Sequence, residues 1–261
     1  MIYSKTKGNS NKYILFFHGN SQSHETWDAV INEELLDDFT LLTVDLPGHG
    51  KSFHSIRPEI DYTLKGMSVQ IKELILSYQE FEYIIVANSI ATNFIAEIAP
   101  GLLNCKGLFL TGACIIGGSF TTADVFQLNP NLAAAFAAYP ADEELNLLLD
   151  DMAYQISDEL KQKCKNTFLN TDPLFRTTLN ESITAEDWSD EIENLENMDI
   201  PIAIVYGKNE KINHFHYLNR SNIKKWENET LLIPDAGHCI QLDQPKLLAA
   251  MINDFAQYCF K

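Results

Sequence analysis

Apolar residues recur along this chain in short runs, at Tyr13–Phe17, Thr40–Val44, Tyr83–Val86, Gly107–Leu110, Ile202–Tyr206 and Thr230–Ile233. Several are apolar along their whole length, without the polar alternation of a half-exposed strand. Strands covered by helices on both faces read this way. Between the runs the spacing becomes that of helices, over Trp27–Asp38, Leu64–Tyr78, Ile90–Ala99 and Gln244–Tyr258. The alternation predicts an α/β fold with a mostly parallel, doubly wound sheet.

The alternation stops after Leu110-Thr111-Gly112. From about Phe120 to Asp190 the pattern holds no strand and reads as helices at Ala133–Ala138, Glu143–Met152 and Ser157–Thr167, followed by a loop around Asn170–Pro173. Phe126, Phe136, Tyr154, Phe168 and Phe175 make this segment aromatic. It is expected to be a helical cap, residues 119–190, inserted into a core of residues 1–118 and 191–261. The other reading is a set of ordinary surface helices whose aromatics face the sheet.

Composition narrows the class of partner. The 261 residues carry 36 acidic and 19 basic side chains, a formal charge of -17. Such a surface repels phosphate backbones and anionic lipid, so neither nucleic acid nor membrane is an expected partner. A small molecule is. The five cysteines, Cys105, Cys114, Cys164, Cys239 and Cys259, form no C-x-x-C and no zinc spacing. They read as reduced thiols of a cytoplasmic protein. The first residues lack a signal-peptide pattern, and no apolar stretch is long enough to span a bilayer. No metal or other cofactor is expected.

Candidate chemistry begins at Ala87-Asn88-Ser89-Ile90-Ala91, between a strand and a helix. A serine at a sharp strand-to-helix turn has its hydroxyl pushed out above the sheet, and the residues two before and two after must be small. Alanines stand there, where glycines are usual. The alternative is that Ser89 caps the following helix. A serine nucleophile needs a base, and the base needs an acid to hold its tautomer. The last strand runs into Pro234-Asp235-Ala236-Gly237-His238, which puts His238 on a loop at a strand end. His214 and His216 read as surface residues. The strand before it runs into Gly207-Lys208-Asn209-Glu210, and Glu210 is the expected acid, with Asp124 in reserve. Backbone donors for an oxyanion are expected from Ile90, after the serine, and from Asn20, in the loop Phe17-His18-Gly19-Asn20-Ser21. His18 is expected to brace that loop, and Asp45 to hold the turn Leu46-Pro47-Gly48-His49-Gly50.

Taken together, HGNSQS, DLPGHGKS, ANSIA, YGKNE and DAGHCIQLDQP resemble the α/β-hydrolase superfamily, in its order and over nearly the whole chain outside the insertion. The resemblance implies a triad of Ser89, Glu210 and His238, an oxyanion hole of Asn20 and Ile90, and a cap at the insertion. HGNS, GLFLTG and PIAIVYGKNE look most like serine-dependent N-acyl-homoserine lactonases of this fold, in which a cap tyrosine contacts substrate. Tyr154 sits in a comparable stretch. The expected function is hydrolysis of a small carboxylic ester or lactone through an acyl-enzyme. The alternatives are a non-catalytic receptor on the same scaffold, or a thioesterase or C–C bond hydrolase.

Overall fold

The computed structural model describes residues 1–261. Its strands are β1 (Tyr3–Lys7), β2 (Lys12–Phe17), β3 (Thr40–Asp45), β4 (Glu82–Asn88), β5 (Cys105–Thr111), β6 (Ile202–Gly207) and β7 (Leu231–Ile233). They form one sheet in the order β1-β3-β2-β4-β5-β6-β7. Only β1 is antiparallel to its neighbour. The main helices are α1 (Leu64–Leu76), α2 (Ile90–Ile98), α3 (Asp142–Met152), α4 (Asp158–Asn170), α5 (Pro173–Thr184) and α6 (Pro245–Cys259).

Both faces of the sheet are buried, which is why its strands are apolar throughout. In β4, Ile85 and Ala87 join a core layer with Leu15, Phe17, Leu108 and Leu110, beneath Ile71 of α1 and Phe94 of α2. Ile84 and Val86 point the other way, to Ile14, Phe16, Phe109 and the Ile252 and Phe255 side chains of α6. Successive residues of one strand thus feed two layers. Each fully buried side chain of this size contributes about 1.5–3 kcal/mol.

Four elements depart from the sequence pattern. β1 was not expected. It is an edge strand with the polar sequence YSKTK, held by backbone pairing to β3, and it carries almost no apolar signal. The single helix expected over Trp27–Asp38 is broken into a 3-10 turn (His24–Trp27), one helical turn (Asp28–Ile31) and a second 3-10 turn (Glu34–Leu36). Lys7 Nζ donates to the Ile31 carbonyl at 2.9 Å. Glu33, Glu34, Asp37 and Asp38 also crowd the end where a helix dipole disfavours anions. The expected loop around Asn170–Pro173 is a two-residue break, Thr171-Asp172, after α4. It leads straight into α5, an unexpected helix that starts where Asp172 accepts from Leu174 N–H and Pro173 takes the first helical position. The helix expected over Ala133–Ala138 is a 3-10 segment, Pro130–Phe136. It ends where the Ala137 and Ala138 carbonyls are turned toward Arg176.

The segment between β5 and β6 is helical, and part of it packs on itself. Ala134, Ala135, Leu145, Leu148, Leu149 and Phe168 form a small apolar cluster apart from the two sheet layers. No helix is long and apolar enough to cross a membrane.

One buried carboxyl offers a test of the packing behind α2. Glu191 is fully buried, and its Oε2 accepts from Asn93 Nδ2 and Ile116 N–H, both at 2.8 Å, while Oε1 has no partner. Burial raises this carboxyl well above its ordinary value of 4.5. The folded chain therefore keeps a proton that the unfolded chain releases near pH 4.5, so stability falls as pH rises above that point. Glu191→Gln removes the penalty. From pH 4.5 to 8 the Tm difference should move in the variant's favour by about 3 °C or more. A difference that stays flat with pH would contradict the assignment.

Candidate active site

The parallel strands β2–β7 deliver six chain segments to one end of the sheet, at their carboxyl ends, as ligand-binding α/β sheets do. β4 leads directly into Ser89. Its φ is +55° and ψ -130°, a strained conformation for a non-glycine residue that costs about 1–3 kcal/mol. Ala87 and Ala91 on either side are fully buried. The Ser89 side chain makes no capping bond to α2, so the helix-cap reading fails. Ser89 N–H donates to Thr111 O at 2.9 Å, and its carbonyl accepts from Thr92 Oγ1 at 2.6 Å.

His238 and Glu210 converge on this hydroxyl from the ends of β7 and β6. Ser89 Oγ lies 2.8 Å from His238 Nε2, and His238 Nδ1 lies 2.8 Å from Glu210 Oε2. Their side chains are 1% and 0% exposed, so solvent does not screen the pair. The other oxygen, Glu210 Oε1, accepts from Ile212 N–H at 2.7 Å and Asn213 N–H at 3.3 Å. With the carboxylate anchored there, Nδ1–H donates to Oε2, and Nε2 is left with a lone pair toward Ser89. The ring has room because Gly112 carries no Cβ, which would stand 3.0 Å from His238 Cε1. Gly112 also has φ +54°, a conformation glycine adopts freely.

The loop after β2 faces the same serine. Gly19 lets it approach, since a Cβ there would come within 3.1 Å of Ser89 Cβ. Asn20 and Ile90 line the cavity above Ser89. Neither backbone N–H has a carbonyl partner within the protein. Two buried histidines shape the loop. His18 Nδ1–H donates to Gly19 O at 2.8 Å, and Nε2 accepts from Leu46 N–H at 3.0 Å. His49 Nδ1–H donates to Pro47 O, and Nε2 accepts from Ser21 N–H at 3.1 Å. Burial pushes His18 down to about 4 and His49 well below its ordinary value, so both stay neutral and keep an acceptor nitrogen. Asp45 does more than hold its own turn at Lys51 N–H. It also takes the His24 N–H and ring at 2.7 and 2.8 Å.

An apolar cavity opens over Ser89 and His238, walled by Phe126, Phe136, Leu149, Ile156, Leu160 and Phe168 from the segment between β5 and β6. Lys163 and Glu25 also line it and pair at 3.3 Å. Tyr154 is exposed and its side chain does not line the cavity; its N–H donates to Asp243. Asp124 is elsewhere, bound to Thr121 and Arg220. His214 and His216 are exposed. Cys114 and Cys239 line the cavity, but burial raises both thiols, so neither competes as a thiolate near neutral pH.

Sequence reading missed several residues that tie these loops together. Asn88 Nδ2 bonds Thr111 and the His238 carbonyl, and its Oδ1 accepts from Gln241 Nε2 at 3.2 Å. Asp243 accepts from Gly237, Tyr154 and Gln155 N–H, fastening the His238 loop to the segment after α3. Gln127 Nε2 donates to the carbonyls of Glu210 and Asn213. The one local signal was the spacing of Asp243 and Pro245 after Gly237-His238.

Several solved structures share the fold. A variant of the N-acyl homoserine lactonase AidH, solved with N-hexanoyl homoserine lactone, superposes with a TM-score of 0.89 at 20% identity, over 99% of this chain and 94% of that one. An esterase from Exiguobacterium antarcticum gives a TM-score of 0.76 at 17% identity, over 98% and 95%. A bromoperoxidase from Bacillus anthracis gives 0.79 at 17% identity, also over 98% and 95%. The profile of the alpha/beta hydrolase family matches residues 14–251, and this chain belongs to that family.

Proposed function

We propose that this protein is a serine hydrolase that cleaves a small carboxylic ester or lactone through an acyl-enzyme. The observation that carries the reading is the unbroken line from Ser89 Oγ through His238 to Glu210, with 2.8 Å at each step. Ser89 Oγ attacks the carbonyl carbon while His238 Nε2 takes its proton. The negative charge that forms on the carbonyl oxygen meets the N–H groups of Asn20 and Ile90. Collapse breaks the bond to the alkoxy oxygen, which receives the proton from His238. Water, deprotonated by His238, then attacks the ester on Ser89, and the proton passes from His238 to Ser89 Oγ as the acid is released. In a lactone both products stay joined as one hydroxy acid.

Residues 119–190 serve in this reading as a cap whose apolar wall receives the acyl chain. An N-acyl-homoserine lactone is the substrate proposed, supported by the likeness to AidH in fold and by the apolar wall. The test is a panel of p-nitrophenyl esters, homoserine lactones and acyl thioesters. Lactones are expected to give the highest kcat/KM. Ligand-induced stabilisation without turnover on any of them would point instead to a binding protein.

Chain-length selection should reside in the cavity wall. Leu160 lines it and is half-buried. Leu160→Trp is expected to lower kcat/KM for an octanoyl substrate about tenfold relative to an acetyl one. An equal loss on both would place the acyl chain elsewhere.

A further inference from the structure

Arg176, on α5, is 2% exposed, and all its hydrogen bonds go to neutral oxygens. Nε donates to Ala137 O at 2.8 Å, Nη2 to Ala138 O at 2.6 Å, and Nη1 to Phe168 O at 3.1 Å and Ser21 Oγ at 3.4 Å. The guanidinium lies 4.3 Å from the centre of the Phe168 ring. The nearby carboxylate, Asp172, is occupied by Leu174 N–H and Tyr62 OH. A buried charge without an ionic partner is expensive, and an apolar side chain is the cheaper way to fill such a site.

The contact with Ser21 gives this charge a use. Ser21 Oγ–H donates to Asn20 Oδ1 at 2.8 Å, and Asn20 Nδ2 donates to Ala135 O at 2.8 Å. Ser21 itself has φ +56°, and its N–H is held by His49. The donors therefore run in one direction, from Arg176 to Ser21 to Asn20 to Ala135. The Asn20 side chain is fixed at both ends, in a residue that lines the cavity above Ser89 and whose backbone N–H has no carbonyl partner.

We propose that Arg176 is a positioning residue for the oxyanion hole, acting through Ser21 to hold Asn20. Its buried charge also attracts the negative oxygen that forms beyond Asn20, three hydrogen bonds along the line. This rests on the reading of Ser89 as nucleophile. The relay acts when charge develops, so its loss lowers kcat and leaves KM within twofold. A brace that only supports the cap would change KM or Tm.

Ser21→Ala, Arg176→Met and Arg176→Lys test it, with kcat and KM on p-nitrophenyl butyrate and the Kd of butylboronic acid. Ser89 Oγ bonds to boron as its proton passes to His238, which gives a tetrahedral boronate anion with one boron hydroxyl in the hole. Ser21→Ala should lower kcat and boronate affinity about tenfold, and Arg176→Met about a hundredfold, the range of a misplaced or lost donor. Arg176→Lys, which keeps the charge, should recover most of the Arg176→Met loss in both. Should Arg176→Met not fold, Ser21→Ala decides alone. Wild-type kcat and boronate affinity in folded Ser21→Ala would overturn the relay. A wild type inert toward both ester and boronate would remove the nucleophile reading, and the relay with it.

Discussion

Ser89→Ala should abolish turnover while leaving the fold and ligand binding in place. The expected loss in kcat is about 10⁴- to 10⁶-fold, the range seen when a nucleophile that works as a unit with its base is removed. KM, or the Kd of an unreacted ester, should stay within a few-fold, because the apolar wall and the Asn20 N–H are untouched. Stability should not fall. The Ser89 side chain makes no capping bond, and its backbone is strained at φ +55°. Alanine tolerates that conformation no better than serine, so the strain is unchanged. A Ser89→Ala protein that hydrolyses esters at the wild-type rate would remove the acyl-enzyme mechanism.

Glu210→Gln carries the second large effect, and its cause is directional. Glu210 Oε1 is pinned by the N–H groups of Ile212 and Asn213. A glutamine must keep its oxygen there, so its NH₂ faces His238 Nδ1. The ring then has to accept at Nδ1, and its proton moves to Nε2, where it points at Ser89 Oγ. A ring in that tautomer cannot take the serine proton. The expected loss in kcat is about 10³- to 10⁴-fold, with little change in Tm because every other contact has an isostere. Glu210→Asp keeps the charge but withdraws it by one methylene, and should lose about a hundredfold through misplacement. If Glu210→Gln kept most of the activity, the carboxylate would not be orienting the imidazole.

The strands were legible because burial on both faces leaves a continuous apolar run, as in Tyr83–Val86. β1 was not, because an edge strand held only by its backbone needs no apolar side chain. α5 was missed although Asp172-Pro173 is a helix-start signal, because the Asn170–Pro173 stretch also has the composition of a turn. Ser89, Glu210 and His238 each stood in a short local motif at a strand end, which a linear reading can find. Asn88 and Gln241 meet across 153 positions, and Ser21 and Arg176 across 155. Nothing local to either partner names the other, since the fold alone brings them together. Tyr154 shows the converse. Its place in the sequence resembles a substrate-contacting tyrosine, but the chain turns there so that its backbone serves Asp243 and its ring is left outside the cavity wall.

The whole mechanism depends on a hydroxyl made nucleophilic by its neighbours, and one covalent label reports on that directly. Incubation with a fluorophosphonate, followed by peptide mass mapping, should place a single adduct on Ser89 in the wild type. Labelling of His238→Ala should be slower by several orders of magnitude. An adduct on another residue, or an active protein that stays unlabelled, would contradict the account.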